Sequence, residues 1–357
     1  MKISVNSTFS YIKFNLNYGS ALQIYALQKA LKARGHDVSL LRDYRANPIY
    51  ILKRLRNVKY FRPFLKKAKA QIQLQKFIRK NIDLSKQCYF SDRGLKKRCP
   101  RVDCHIAGSD QIWHNANRFR YLTYVPEDKL KLSYAASFGR ANISDEMKGE
   151  IAPYLKRFDG ISVREASGVS IVNSMGCEAV QVLDPTLLLD WQQYPYEDND
   201  RSAYCYCYFL NLRDKKNVLF DKIREFSKQN GKELLVTAPL NYPLFLEEQL
   251  LFPSVSEWLG LYKNADCIFT NTYHGLLFCI IFKKQFLFFI QHGASNVENE
   301  RFYSLLSMLG LSDRIVDITE NPDISEKMQA PIDYEAVYQA IQEKRREAAA
   351  FFERFGL

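Results

Sequence analysis

The sequence lacks the features that mark membrane-spanning, secreted and disulfide-rich proteins. Its apolar runs, such as residues 276–282, are short, whereas a membrane-spanning helix needs about 20 apolar residues. Residues 1–14 contain neither an apolar signal core nor a small-residue cleavage site, which predicts that the protein is not secreted. The eight cysteines are scattered without a CxxC pair, as is typical of buried thiols in a reducing compartment. We therefore expect a cytoplasmic protein without a membrane span.

Motifs for metal, nucleotide and nucleophilic chemistry are also missing. The five histidines are dispersed and form no HExxH pair, so no metal site is predicted. Neither GxGxxG nor a Walker A sequence occurs, which argues against a bound dinucleotide. No GxSxG nucleophile elbow occurs either, which argues against an α/β-hydrolase. The sequence thus predicts neither a cofactor nor a metal.

Acidic residues are absent from one long segment, which accounts for the whole net charge of +12. Residues 44–82 hold twelve Lys or Arg and no Asp or Glu, interleaved with aromatic and aliphatic side chains. Cations next to apolar side chains suit the boundary of an anionic lipid surface. The predicted membrane contacts are Lys53, Arg54, Arg56, Lys59, Arg62, Lys66 and Lys67.

Two other interpretations of this basic segment stay open. A charge run often marks a solvated helical insertion, and nucleic acid is a second polyanion that such a segment can bind. No helix-turn-helix, RRM or zinc-finger pattern accompanies the charge. The sequence therefore favours a membrane surface over nucleic acid as the partner.

Short β-type runs alternate with amphipathic helical stretches in two series, separated by the polar residues 192–201. Such alternation predicts an α/β protein with two doubly wound, Rossmann-like domains, covering residues 1–195 and 196–333. Residues 44–98 are expected to be an insertion in the first domain, helical in two pieces that are interrupted at Pro63. Residues 334–357 are predicted as a helix that can cross back to the first domain.

The most informative strand end is Cys267–Thr270, which runs into Asn271-Thr272-Tyr273-His274-Gly275. Ligands of open parallel sheets bind beyond the carboxyl ends of strands. Asn271 or Thr272 can cap the following helix, whose free N–H groups form an anion site. A histidine at this end is kept neutral by the helix dipole and can transfer protons. The alternative is a histidine that only caps its own helix.

Other strand ends carry polar or small residues. Gly108 and Ser109 allow close backbone approach to a ligand, Asp110 can accept hydrogen bonds from sugar hydroxyls, and Trp113 can stack on a sugar face. The alternative there is an ordinary turn with a buried Trp. Ser137 ends another small-residue strand, and Asn17-Tyr18-Gly19 lies at the first strand-to-helix crossover.

Two arginines are candidate anion clamps, because a guanidinium fork binds carboxylate or phosphate with two hydrogen bonds. Arg164 follows the strand Gly160–Val163, and Arg301 precedes a predicted helix. The alternatives are a surface ion pair between Arg164 and Glu165, and a helix-surface position for Arg301.

Together these pieces resemble the polysaccharide pyruvyl transferase family over roughly residues 4–310. The motifs that carry the resemblance occur in the family's order: Asn17-Tyr18-Gly19-Ser20-Ala21-Leu22, Gly108-Ser109-Asp110-Gln111-Ile112-Trp113, Ser133-Tyr134-Ala135-Ala136-Ser137-Phe138-Gly139, Ser162-Val163-Arg164-Glu165, Asp184-Pro185-Thr186, Thr270-Asn271-Thr272-Tyr273-His274-Gly275 and Glu300-Arg301-Phe302-Tyr303-Ser304-Leu305-Leu306. Many members carry an acid where this chain has Asn271, which cannot act as a base.

The resemblance implies a glycosyltransferase-B-like pair of domains with a cleft between them. It implies transfer of the pyruvyl group of phosphoenolpyruvate, the donor substrate, to two sugar hydroxyls, giving a cyclic ketal. By this analogy, His274 and Asp110 are assigned to catalysis. Donor binding falls to Arg164, Arg301, Asn271, Thr272 and Gly275. Acceptor binding falls to Asn17, Tyr18, Gly19, Gly108, Ser109, Trp113 and Ser137.

The acceptor itself stays open, since a lipid-linked, a nucleotide-linked and a polymeric saccharide all fit the resemblance. An undecaprenyl-linked acceptor gives the basic segment a purpose, as it brings the enzyme to the inner face of the cytoplasmic membrane. Two other functions are weighed beside pyruvyl transfer. One is a nucleotide-sugar-dependent glycosyltransferase of the same fold, and the other is a non-enzymatic nucleic-acid-binding protein.

Overall fold

The structure is a computed structural model that describes residues 1–7, 16–43, 61–290 and 299–357. Two parallel β-sheets organise these residues, and helices lie between successive strands. The predicted α/β architecture with two domains is therefore confirmed.

The first sheet has seven parallel strands in the order β3-β2-β1-β4-β5-β6-β7. Its strands are β1 Lys2–Asn6, β2 Asp37–Asp43, β3 Leu84–Tyr89, β4 Cys104–Ala107, β5 Leu130–Ala136, β6 Gly160–Val163 and β7 Val180–Gln181. The helices of this domain are α1 Tyr18–Ala33, α2 Phe61–Asn81, α3 Asp92–Lys97, α4 Asp145–Leu155 and α5 Ala166–Asn173. The strand order reverses between β1 and β4, because the chain adds strands on one side of β1 first and then on the other. A crevice therefore opens beyond the carboxyl ends of these two parallel strands.

The second sheet has six parallel strands and repeats this order as β10-β9-β8-β11-β12-β13. Its strands are β8 Tyr204–Tyr208, β9 Glu233–Thr237, β10 Gln249–Leu250, β11 Cys267–Thr270, β12 Gln285–Phe289 and β13 Ile315–Val316. The helices are α6 Phe220–Gln229, α7 Val255–Asn264, α8 Tyr273–Ile281, α9 Glu300–Met308 and α10 Ile324–Gln329. Here the reversal lies between β8 and β11, so the second crevice lies beyond the ends of these two strands.

The last helix, α11 (Tyr334–Arg354), packs against the first domain. The ring of Phe352 stacks on that of Tyr134 in β5 with centroids 4.6 Å apart. Arg345 Nε donates to the carbonyl oxygen of Leu187 at 2.6 Å. The end of the chain is thus part of the first domain's core.

One apolar cluster joins the two domains. It contains Leu22 of α1 and Leu74 of α2 together with Trp258 of α7 and Phe278 of α8. Tyr18 adds a polar tie, since its hydroxyl donates to the carbonyl oxygen of Pro253 at 2.6 Å. Apolar packing of this kind opposes relative motion of the two domains.

The basic segment differs from the predicted helical insertion of residues 44–98. Residues 44–60 lie outside the described part of the chain, but α2 runs unbroken from Phe61. Pro63 does not interrupt it, because the first turn of a helix needs no N–H donor there. Residues 84–89 form β3, an edge strand of the first sheet, so this part of the predicted insertion belongs to the domain itself.

Candidate active site

A cleft of about 330 Å³ lies where the carboxyl ends of the two sheets face each other. This volume falls within the range of small-molecule sites. Six of the residues predicted from the sequence line it: Asn17, Asp110, Asn271, Thr272, His274 and Arg301. The structure thus brings together residues that are up to 284 positions apart, counted from Asn17 to Arg301.

His274 lies in the first turn of α8, directly after β11. The helix begins there because Thr272 adopts an extended conformation and its side chain accepts a hydrogen bond from Gly275 N at 3.0 Å. The imidazole is only 8% exposed, yet it forms part of the cleft wall. The sequence therefore places a nearly buried histidine at a ligand-accessible surface.

The imidazole of His274 faces a carboxylate without a full hydrogen bond. Its Nε2 atom is 3.9 Å from Asp184 Oδ2, and within the described residues Nε2 has no hydrogen-bond partner. Burial lowers the pKa of His274, although the carboxylates of Asp184 and Asp110 act in the opposite direction. The ring is therefore neutral near pH 7 and can accept a proton at Nε2.

Gly19 of the first domain packs directly on this imidazole. A Cβ atom added to Gly19 would lie 2.1 Å from His274 Cγ, which is far inside van der Waals contact. Next to it, Asn17 caps α1 by accepting a hydrogen bond from Ser20 N at 3.1 Å. The predicted crossover thus meets His274 across the domain boundary.

Asp184 organises the floor of the site, although the predicted site residues do not include it. Its Oδ2 accepts hydrogen bonds from Ser109 Oγ at 2.9 Å and from Arg164 Nη1 at 3.2 Å. Its Oδ1 accepts from the backbone N and the hydroxyl of Thr186 at 3.0 and 2.8 Å. The signal in the sequence is the Asp184-Pro185-Thr186 motif, which contributes to the family resemblance.

Arg164 forms a buried ion-pair network instead of a surface pair. Besides Asp184, its guanidinium contacts Glu165, with Nε 2.9 Å from Oε1. Although burial disfavours the charge, these carboxylates raise the pKa of Arg164. Its Cζ lies 4.0 Å from the centroid of the Tyr273 ring, and Tyr273 lines the cleft. Arg164 is therefore a cation behind the cleft wall, with Tyr273 packed against it.

Arg301 is a guanidinium that lines the cleft itself. Its Cζ is 5.9 Å from the Tyr273 centroid and 4.7 Å from that of Phe302. These aromatic contacts stabilise a guanidinium beside the ring faces. Tyr273 thus contacts both arginines, one in the wall and one behind it.

Asp110 lines the cleft from the first domain. It has a positive φ of 74°, and its Oδ1 accepts a hydrogen bond from Gln111 N at 2.9 Å. Burial alone would raise the pKa of this carboxyl, but His274 and Arg164 hold it below its ordinary value. Asp110 is consequently ionised near neutral pH and can accept hydrogen bonds.

Several predicted site residues have structural roles in the cleft wall or beneath it. Asn271 is on the cleft wall, but its amide exchanges two hydrogen bonds with the backbone of Leu210, at 2.8 and 3.0 Å. Ser137 is buried and donates to Glu165 Oε1 at 2.8 Å. Close backbone packing explains Gly108 and Gly275, where an added Cβ would come within 3.2 and 2.4 Å of neighbouring atoms.

Trp113 requires a correction. Its side chain is fully buried, its ring stacks on Tyr121 with centroids 5.3 Å apart, and its Nε1 donates to the carbonyl oxygen of Arg120 at 3.2 Å. A sugar cannot stack on this face, so Trp113 belongs to the core of the first domain. The alternative interpretation, an ordinary turn with a buried Trp, is correct for this residue.

Two further assignments concern metals and the basic segment. Over the described ranges, no group of three or more His, Cys, Asp or Glu side chains could hold a metal ion. Of the predicted membrane contacts, Lys53, Arg54, Arg56, Lys59 and the side chain of Arg62 lie outside the described residues. Lys66 is exposed on α2, whereas Lys67 is half-buried with Nζ 5.7 Å from the Tyr242 ring.

Replacing Asp184 with alanine is expected to lower the free energy of unfolding by about 3–5 kcal/mol, because it breaks a buried ion pair and leaves Arg164 partly uncompensated. Urea denaturation followed by circular dichroism measures the change. Asp190→Ala is the matched control, since the half-exposed pair between Asp190 and Arg345 should contribute about 0–1 kcal/mol. Equal losses for the two variants would contradict the organising role of Asp184.

Solved structures resemble the whole chain in fold. A putative UDP-N-acetylglucosamine 2-epimerase from Listeria monocytogenes aligns over 100% of this chain and 96% of its own, with a TM-score of 0.55 and 11% identity. MnaA from S. aureus with UDP aligns over 96% of this chain and 87% of its own, with a TM-score of 0.53 and 12% identity. UGT89C1 from Arabidopsis thaliana with UDP-L-rhamnose aligns over 98% of both chains, with a TM-score of 0.52 and 9% identity. The predicted glycosyltransferase-B-like fold is confirmed.

Sequence comparison adds the family. A search of curated proteins finds no significant match. The profile described as polysaccharide pyruvyl transferase matches residues 17–293, a range that includes Gly19, Asp110, Arg164, Asp184 and His274. The match covers well over half of the chain and agrees with the predicted resemblance. The chain therefore belongs to the polysaccharide pyruvyl transferase family.

Proposed function

We propose that this protein transfers the pyruvyl group of phosphoenolpyruvate to two hydroxyls of one sugar, forming a cyclic ketal in a surface or capsular polysaccharide. The observation that carries the proposal is the nearly buried His274, whose Nε2 faces Asp184 on the wall of a cleft that also contains Asp110 and Arg301. A neutral base, an ionised carboxylate and a cation in one cleft are the groups that this reaction needs.

The donor would bind as an anion beside Arg301 and the N-terminus of α8. Phosphoenolpyruvate carries a carboxylate and a phosphate, and a guanidinium can bind either with two hydrogen bonds. The N-terminus of α8 adds the positive end of its helix dipole on the same wall. Arg164 contributes positive charge from behind Tyr273, in a network whose carboxylates keep it ionised.

The proposed reaction changes the donor at two adjacent atoms, the methylene carbon and the carbon that carries the phosphate. Protonation of the methylene carbon produces an oxocarbenium-like centre at the adjacent carbon, which the first sugar hydroxyl attacks as it loses its proton. Phosphate departs with its bridging oxygen, and the second hydroxyl closes the ketal after losing its own proton. His274 Nε2 is the proposed proton acceptor, and Asp110 would orient the attacking hydroxyls.

The acceptor in this proposal is a lipid-linked saccharide, such as an undecaprenyl-linked one, at the inner face of the cytoplasmic membrane. Support comes from the acid-free basic residues 44–82. None of the helices in the described ranges has the length and apolar character needed to cross a bilayer. A peripheral position would give the cleft access to a membrane-anchored sugar.

The donor can be identified by thermal denaturation of the purified protein. Phosphoenolpyruvate at about 100 times its Kd is expected to stabilise the folded state by about 2.7 kcal/mol and to raise the Tm. UDP-sugars at the same concentration serve as the comparison. A rise in Tm with a UDP-sugar and none with phosphoenolpyruvate would replace the proposal with a nucleotide-sugar-dependent glycosyltransferase.

A further inference from the structure

Helix α2 carries apolar residues on both its inner and its outer face. Its inner face packs against α1 and α7 through the buried side chains of Ala70, Leu74, Phe77 and Ile78. These residues satisfy the need of the helix for a core. Apolar residues on its outer face therefore require another explanation.

The outer stripe of α2 combines exposed aliphatic residues with cations. Its members are Leu65, Lys69, Ile72, Lys76, Arg79 and Lys80, all of them exposed. Leu65 is 49% exposed and Ile72 is 55% exposed, whereas α2 contains no Asp or Glu. With about 1.5 Å of rise per residue, the stripe extends for about 22 Å along one side of the helix.

We propose that the outer stripe of α2 docks this protein lengthwise on an anionic lipid bilayer. Lysine and arginine on one helix face bind anionic headgroups, and aliphatic side chains between them enter the acyl boundary. A polyphosphate backbone would match the cations but would leave Leu65 and Ile72 without an apolar environment. An anionic lipid bilayer matches both components.

The stripe differs from the membrane contacts predicted from the sequence. Lys67 is directed towards Tyr242 in the second domain, so its side chain is occupied within the fold. The docking surface therefore lies further along α2, between Leu65 and Lys80. This inference rests on the proposed function, because docking serves an enzyme whose acceptor is anchored in the membrane.

Vesicle flotation of the full chain tests the docking surface. Wild type is expected to float with vesicles of phosphatidylcholine containing about one third phosphatidylglycerol, and not with pure phosphatidylcholine. Lys69→Gln combined with Lys76→Gln should weaken partitioning by about 30-fold, since each cation near an anionic bilayer contributes about fivefold. Ile72→Gln should also weaken it, although its net charge is unchanged.

The matched control is Lys216→Gln combined with Lys228→Gln, which removes two exposed lysines from the second domain and changes the net charge equally. It should bind vesicles like wild type. Equal loss in both double variants, unchanged binding of the α2 variants, or binding of RNA but not of vesicles would overturn the proposal. Phosphate release with a water-soluble saccharide acceptor tests the proposed function separately, because the α2 variants should retain it.

Discussion

Replacing His274 with glutamine is expected to slow phosphate release from phosphoenolpyruvate by about 10²–10⁴-fold, the usual contribution of a positioned acid or base. Glutamine keeps a polar side chain of similar length but cannot accept the proton. Binding of phosphoenolpyruvate should largely survive, because Arg301 and the backbone of the first turn of α8 are unchanged. Single-turnover phosphate release and isothermal calorimetry measure the two quantities independently.

The pH profile distinguishes proton transfer from a positioning effect. Burial lowers the pKa of His274, so the base is active above a pKa that lies below the ordinary value of about 6.5. The wild-type rate should fall as pH drops through that pKa, and this acid limb should be missing in His274→Gln. His36→Gln, remote from the cleft beside the amino terminus, should leave the profile unchanged. Undiminished phosphate release by His274→Gln would refute the proposed base.

Much of the fold follows from the alternation of strand and helix patterns. The sequence predicts the strands Gly160–Val163 and Cys267–Thr270 with the bounds that the structure has, because these segments are buried in parallel sheets. It does not predict Gln249–Leu250 or Ile315–Val316, since two residues are too few to show a periodicity.

The edge strand β3 is also absent from the sequence prediction, and the reason is physical. Its sequence, Leu-Ser-Lys-Gln-Cys-Tyr, is mostly polar, because one side of an edge strand has no neighbouring strand to bury it. In the sequence, β3 therefore reads as a continuation of the basic helical segment. Only its pairing with β2 separates it from that segment.

For the site, the sequence predicts which chain segments meet at the cleft better than it predicts how deeply each side chain is buried. The carboxyl ends of β4 and β11 and the loop before α1 all face the cleft. Asn17, Asp110 and His274 therefore come together as expected. Sequence cannot tell which residue behind a strand end reaches the ligand and which packs beneath it. Arg164 therefore proves to lie behind Tyr273, and Trp113 in the core.

Substituting alanine at Gly19 is expected to abolish activity nearly as completely as the loss of His274. The new methyl group would occupy the space of the imidazole, 2.1 Å from Cγ, so His274 must move or the two domains must separate. Overpacking of a well-packed contact typically costs about 1–3 kcal/mol. Chemical denaturation and phosphate release should therefore both report the change.

Gly149→Ala is the matched control, because Gly149 lies within α4 and an added Cβ there meets nothing within 4 Å. That variant should retain activity and gain stability from the better helix propensity of alanine. The contact itself is tested by combining Gly19→Ala with His274→Gly, because the added Cβ would also lie 2.2 Å from His274 Cβ, an atom that alanine would keep. If the methyl group acts by colliding with the side chain at position 274, Gly19→Ala should destabilise the His274→Gly background much less than wild type. Additive losses would instead assign the effect of Gly19 to α1, because a strained helix start does not depend on the side chain at position 274.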